Sequence, residues 1–300
     1  MKPMKVLLSL VTLLMLIAST TFAAESRIDW SDNYITVTGG GVAPAHARNM
    51  AQARMMARRA AIVDAYRQMA EIVNGVQVDG ETTVRDLATE NDIVKTKVSG
   101  IVRGARVVSE HQINGGYEVT MSVPLFGITG SVATAVLPQN NVKESFPEPS
   151  MADYNDYNSS KSVTEIPSTD QPTTGSSAAD PRGKADFSIQ KEGIYTGVII
   201  DCRGLGLKPA MSPVIKNANL ESIYGYKNLD YDYVVSHGMA GYAHDMSKAT
   251  RAGSKPLIVK AQSMVGQGVN PVLSMRDADK VLLENQATHF LDKTNVVFLY

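Results

Sequence analysis

The clearest periodicity in the chain runs from Pro44 to Val73. At about 100° per residue, Ala51, Met55, Ile62, Tyr66, Met69 and Val73 fall on one stripe, with Asp64, Gln68 and Glu71 roughly opposite. Pro44 suits a first helical position, where its missing N–H costs nothing, and Asn74-Gly75 supplies a left-handed stop. The pattern predicts a long helix that lays its stripe on a sheet. Alternation by two supplies the strands. Tyr34 to Thr38 alternates and is β-branched, and Gly39-Gly40-Gly41 reads as the turn into the helix. Val76, Val78, Thr82 and Val84 read as a second strand. Thr83 to Val98 fits either a short helix or an extended connection, with Asp86 placed to cap a turn that carries Leu87 inward. Ile101, Arg103, Ala105 and Val107 run through Ser109 and His111 to a turn at Asn114-Gly115-Gly116, and Tyr117, Val119, Met121 and Val123 alternate back as a hairpin. One long helix on one face of a small, mostly antiparallel sheet is an α+β domain.

From about Leu137 the aliphatic residues thin out. Pro147, Pro149, Pro167, Pro172 and Pro181 are spread through Ser, Thr, Asn, Asp and Glu, a composition that cannot offset the entropy of folding. Residues 139–186 are therefore expected to be a disordered linker. Apolar runs resume with Tyr195 to Asp201, a buried strand by composition, followed by a turn-rich loop from Gly204 to Pro209. Met211 to Ile215 and Ser222 to Tyr224 read as short strands around a turn at Asn217 to Asn219. Lys255 to Ala261 is another strand. Ser274 with Asp277 resembles a capping box opening a helix lined by Ala278, Val281, Leu282 and Asn285, and Val296 to Tyr300 is a terminal strand. The organisation expected is a signal peptide at 1–23, an α+β domain at 24–138, the linker at 139–186 and a second α+β or α/β domain at 187–300.

Charge changes this picture little. With 29 basic and 30 acidic residues among 300, the whole-chain electrostatic argument for nucleic acid is absent. The N-terminus changes it more. Lys2 and Lys5, an apolar run from Val6 to Ala18 and small residues up to Ala23-Ala24 follow the order of a secretory signal. No later segment is long and apolar enough to span a bilayer. The chain is thus expected to be exported, periplasmic or associated with the cell envelope, with no transmembrane segment after signal cleavage. Ile17-Ala18-Ser19-Thr20 would be a lipoprotein acylation site with Cys at position 20; with Thr20 there, no lipid anchor is expected. The single cysteine, Cys202, ends an apolar run and reads as a buried thiol.

Candidate chemistry is sparse. Gly39-Gly40-Gly41 lacks the Lys-Ser or Lys-Thr that completes a phosphate loop, and Gly204-x-Gly206 has Pro209 where a dinucleotide fingerprint needs its third glycine. His237, His244 and Asp245 cluster in sequence, but a metal needs three or four converging ligands, so packing or surface histidines are the plainer reading. No catalytic residue, metal or cofactor is assigned. The arginines of the long helix stand out instead. Arg58 falls near the centre of the apolar stripe, and its plain role is to snorkel to water or to a carboxylate such as Glu118. Arg54, Arg58 and Arg59 are the candidate contact residues for an acidic partner or a second subunit. Arg203, Lys208, Tyr224 and Tyr226 are candidates to line a small-ligand or glycan cleft.

Four stretches carry a family likeness: Gly39-Gly40-Gly41; Ala51-Gln52-Ala53-Arg54 with Ala57-Arg58-Arg59-Ala60-Ala61; Asp64-Ala65-Tyr66-Arg67; and Gly100 to Ala105 leading to Gly116-Tyr117-Glu118-Val119. Through these, Tyr34 to Gly127 resembles the LPP20 lipoprotein family and the related N-terminal domain of flagellar assembly protein T, although the lipobox cysteine is missing. The stretch from Thr196 to Asp201 with Arg203 to Pro213 looks like a module that accompanies such domains in bacterial exported proteins. The resemblance implies envelope proteins, some of them ring or scaffold builders around the flagellar basal body, and implies no catalytic residues. The functional expectation is a non-catalytic exported envelope interaction or scaffold protein, with envelope proteins or a second copy as partner and a flagellar link within its range. A ligand-binding periplasmic module and an envelope hydrolase are the alternatives.

Overall fold

The computed structural model describes residues 26–139, 142–150 and 191–300. The signal region and most of the expected linker lie outside these residues. Two compact units emerge. The first comprises residues 26–75, Asp92–Leu125 and Gly130–Val132. The second comprises Val76–Asn91, Phe126–Thr129 and Ala133–Tyr300. It therefore extends beyond the C-terminal composition block and takes in segments from the first half of the chain.

In the first unit, β1 (Arg27–Asp29) and β2 (Tyr34–Val42) form an antiparallel pair that leads to the long helix α1 (Met50–Gly75). After α2 (Val84–Glu90), which belongs to the second unit, the chain returns as α3 (Asp92–Arg103), β3 (Arg106–Ile113) and β4 (Gly116–Pro124). The sheet order is β1-β2-β4-β3, antiparallel throughout. The α+β architecture is as the periodicity implies. The helix starts later than Pro44 because Asn49 is the better cap: its side chain accepts the Gln52 N–H at 2.8 Å, while Gln52 Oε1 accepts the Arg48 N–H at 2.8 Å. Residues 101–103 finish α3 rather than opening the hairpin, because Val98 and Val102, four apart, bury on one helical face.

The three glycines are not a turn. They lie within β2, where the inward alternation Ile35, Val37 continues as Gly39 and Gly41. A Cβ on Gly39 would sit 2.3 Å from the Ala61 carbonyl oxygen, and one on Gly41 would sit 2.1 Å from that of Ala57. The helix backbone therefore rests almost directly on the strand. The buried stripe of α1 follows from this: it is Ala57, Ala61, Ala65, Met69 and Val73. Ile62 and Tyr66 are only half-buried, and Ala51 and Met55 are exposed, because Ala57 already lies over Gly41, next to the last residue of β2. The free edge of β2 is closed by the helix. Gly40 N–H donates to Asp64 Oδ2 at 3.1 Å, and Gln68 Nε2 donates to the Thr38 carbonyl at 3.1 Å.

In the second unit, Val76 to Val84 is a tight loop and not a strand. Gln77 and Thr83 form an isolated bridge, Asp79 Oδ1 accepts the Glu81 and Thr82 N–H groups, and Thr83 with Asp86 makes a capping box at the start of α2. The loop is tied to the rest of the unit by Met211 N–H to Gln77 O at 3.0 Å and Ser212 N–H to Val78 O at 2.7 Å. Further along come β5 (Gly197–Asp201), β6 (Ile215–Lys216), β7 (Ser222–Tyr224), α4 (Tyr231–His237), β8 (Gly241–Ala243), β9 (Pro256–Lys260), β10 (Ser263–Val265), β11 (Asn270–Val272), α5 (Met275–Thr288) and β12 (Val296–Leu299). They build a parallel sheet ordered β8-β12-β5-β9 and a mixed one ordered β10-β11-β6-β7. Ser274 caps α5, whose Ala278, Val281, Leu282 and Asn285 are buried. The C-terminal strand β12 sits between β8 and β5, fully buried, as its unbroken apolar run requires.

Residues 142–150 were expected to be linker, yet they lie as an extended strap on the second unit. Glu144 N–H donates to Lys227 O, Asn228 Nδ2 donates to Ser145 O, the Phe146 ring is parallel to Tyr224 at 6.2 Å, and Lys143 pairs with Asp292 at 2.7 Å. At its far end Ser150 donates its N–H at 2.8 Å and its hydroxyl at 2.5 Å to Asp279, which is 3 % exposed.

Candidate functional site

A helix that buries one stripe of alanines is expected to present a polar outer face, and α1 interrupts its charges there with Val63, 61 % exposed, and Met56, 40 % exposed. Met56, Arg59, Ala60, Val63, Asp64 and Arg67 line a shallow open depression of about 470 Å³ on that face. Ala60 forms its low point, between longer neighbours. Arg67 is held by Asp64 at 3.0 Å and Glu71 at 2.7 Å. Burial alone would raise the Asp64 carboxyl; hydrogen bonds from Gly40 N–H, Arg67 and Gln68 outweigh it and leave the group below its ordinary value.

The three candidate arginines separate here. Arg58 turns toward the sheet edge and pairs with Glu110 on β3 through Nε at 2.8 Å. Its carboxylate is thus Glu110 and not Glu118, which faces His111 at 2.9 Å. Arg54 and Arg59 are exposed and have no ion pair among the described residues. Arg59 is the one of the three that lines the depression, which makes it the candidate best placed to meet a partner carboxylate. Met56, Ala60 and Val63 complete the surface, and the sequence reading passed over them. Met56 and Val63 lie away from Ala57, Ala61 and Ala65 on a helical wheel and Ala60 lies on the flank beside Gly41, so the choice of inner face decides whether they are visible.

The second unit does not bring Arg203, Lys208, Tyr224 and Tyr226 together as an open cleft. Tyr224 is fully buried and donates its hydroxyl to Met239 O at 2.6 Å. Tyr226 donates to the Pro138 carbonyl. Arg203 is clamped to Asp201 by two hydrogen bonds of 2.7 and 2.8 Å, which hold the Asp201 carboxyl down to about 2. Lys208, on the loop after β5, is exposed and pinned by its N–H to Gly268 O at 2.8 Å. The histidines are likewise apart in their contacts. His237 ends α4 and stacks on Tyr233 at 4.3 Å, whereas His244 follows β8 and packs on Tyr300 at 4.3 Å. Asp245 caps its own turn by accepting the Ser247 N–H at 2.9 Å. Among the described residues no group of three His, Cys, Asp or Glu side chains converges as a metal site would need. Cys202 is fully buried, and burial pushes its thiol up to about 12. A second depression, of about 340 Å³, runs between the strap and α5, with Lys143, Phe146, Leu282, Gln286, His289 and Asp292 among its walls.

Among the described residues no helix is long and apolar enough to cross a membrane. Residues 38–123 match the family model of LPP20 lipoproteins, so the likeness read from the glycine and alanine motifs is borne out over that stretch. Residues 197–300 match the model described as the second domain of Treponema pallidum Tp0624. No curated protein matches the chain.

Proposed function

We propose that the protein is a non-catalytic, exported component of the cell envelope that works by binding other proteins, as a scaffold or assembly factor. One observation carries this reading: the outer side of α1 exposes Met56 and Val63 between Arg59 and Arg67. Exposed apolar surface rimmed by charge is what contact sites present. Arg59, without an ion pair, sits at the edge of that surface. The matches to a lipoprotein family and to a domain of a second bacterial protein support an envelope setting. A place in flagellar assembly is one form this function takes in our reading, and it rests on the family likeness alone.

The test is crosslinking in intact cells followed by recovery of the protein from fractionated envelope. Discrete partners in the envelope fraction are expected, and they should diminish when Val63 and Arg59 are both replaced by Glu. Recovery from the cytoplasm with residues 1–23 intact would sink the reading.

A further inference from the structure

The strap at 142–150 lies on the second unit as an extended peptide lies on a receptor. Its main chain makes three of the contacts. Glu144 N–H donates to Lys227 O at 2.9 Å, Ser145 O accepts from Asn228 Nδ2 at 3.0 Å, and Ser150 N–H donates to Asp279 at 2.8 Å. Side chains at spaced positions add to these. Lys143 pairs with Asp292, Phe146 lies parallel to Tyr224, Glu148 accepts from Gln286, and the Ser150 hydroxyl reaches Asp279. Main-chain hydrogen bonds combined with sites for alternate side chains are how proteins read extended segments. Phe146 precedes Pro147 and Glu148 precedes Pro149, and a residue before proline is restricted to extended backbone. The strap is therefore stiffened for its groove before it docks.

Two features separate this groove from ordinary packing. The walls are held by bonds that do not involve the strap: Tyr224 donates its hydroxyl to Met239 O, Asn228 N–H donates to Gly225 O, and Asp279 is carried on α5, which Ser274 caps. The strap itself is mostly exposed, with only Phe146 and Pro149 half-buried. The fit is also incomplete. Asn228 is 1 % exposed, and its Oδ1 has no hydrogen-bond partner among the described residues. Its amide cannot be turned round, because the NH2 group must face the Ser145 carbonyl. A buried acceptor in this state has lost its water and gained nothing in return. The depression of about 340 Å³ between the strap and α5 leaves room for a bulkier occupant.

We infer that this groove is a peptide-binding site of the second unit, and that the strap is its built-in occupant, in competition with an extended segment of another protein. The contacts define that segment. It carries a lysine, an aromatic residue three positions later followed directly by proline, and a serine or threonine four positions after the aromatic. It also gives Asn228 Oδ1 the N–H that the strap does not. The site lies within the second unit and does not rest on the reading of α1.

The test uses a labelled synthetic peptide of residues 142–150 and the full chain carrying both Phe146→Ala and Ser150→Ala, which removes two anchors of the strap and leaves the groove walls untouched. A tethered segment is present at an effective concentration of about 1 mM, so a peptide with an intrinsic dissociation constant of about 100 µM is held off the wild-type chain roughly tenfold. Fluorescence anisotropy should show saturable binding to the double variant and binding at least about fivefold weaker to the wild type. Peptides carrying Phe146→Ala or Ser150→Ala should bind the double variant at least about fivefold more weakly than the unaltered peptide. A double variant with the wild-type circular dichroism spectrum that leaves the peptide unbound at about 1 mM overturns the proposal, as does binding indifferent to both peptide substitutions. If the double variant does not fold, the wild type decides: about 2 mM free peptide should speed amide exchange over residues 144–150 at least about threefold, and unchanged exchange overturns the proposal. A wild-type dimer that the free peptide dissociates places a second copy's strap in the groove and overturns the assignment to another protein.

Discussion

Single atoms decide how the first unit is built. Gly39 and Gly41 face α1, whereas Gly40, between them, faces away with nothing within 4 Å of a Cβ placed on it. Three identical residues therefore carry opposite constraints. Gly39→Ala or Gly41→Ala is expected to destabilise the unit by about 3 kcal/mol or more, since the clash is with backbone that cannot rotate aside. Gly40→Ala should change stability by less than about 0.5 kcal/mol. Chemical denaturation followed by the fluorescence of Trp30, the chain's single tryptophan, reads both. A second residue-scale expectation concerns acid. The Asp201 carboxyl is held near 2 in the folded chain, first by the Arg203 guanidinium, against an ordinary value of 3.8. Its stabilising contribution is thus complete above about pH 4 and is lost as pH falls through about 2. Because Arg203 is largely exposed, solvent screening reduces that contribution to about 1 kcal/mol or less. An NMR titration should find the Asp201 carboxyl carbon shifting near pH 2, and Arg203→Gln should move that midpoint toward 4.

At the scale of elements, the sequence was legible wherever one local rule decides the outcome. The existence of α1, the capping of α5 by Ser274 and the apolar terminal strand all read directly. What it hid was the face α1 buries, because a wheel weights Met55 and Ile62 above alanine, while the real contact selects small residues against Gly39 and Gly41. The pairing of Val76 with Val78, Thr82 and Val84 misled for a related reason: the alternation is genuine, but Asp79 folds the stretch back on itself. The strap at 142–150 was hidden by its composition, which is that of a linker. It is held by partners far away in sequence, chiefly Asp279 and Tyr224. Asp279→Ala should therefore free the Ser150 end. Proteolysis or amide exchange over residues 145–150 is expected to quicken at least tenfold, with the thermal midpoint of the unit shifted by only a few degrees. Unchanged protection would show that Phe146 alone anchors the segment.

At the scale of the whole molecule, composition divides the chain at the linker, whereas packing assigns Val76–Asn91 to the same unit as the C-terminal residues. Buried Val76, Val78 and Val84 and the hydrogen bonds to Met211 and Ser212 are the physical grounds. Neither is visible in sequence, because both depend on residues more than a hundred positions apart. This assignment has a thermodynamic consequence that can be read separately in each unit. Trp30 lies in the first unit, and the buried Tyr224 and Tyr242 lie in the second, so tryptophan fluorescence and amide exchange at those two tyrosines report different transitions, whereas bulk tyrosine circular dichroism would mix them through Tyr34, Tyr66 and Tyr117 of the first unit. Val84→Ala removes two methyl groups from a fully buried site in a segment that precedes most of the first unit's hairpin in sequence. The tyrosine-monitored transition should lose about 2 kcal/mol, and the tryptophan-monitored one should stay in place. If the tryptophan transition moves instead, the segment belongs energetically to the first unit and the chain divides where its composition does.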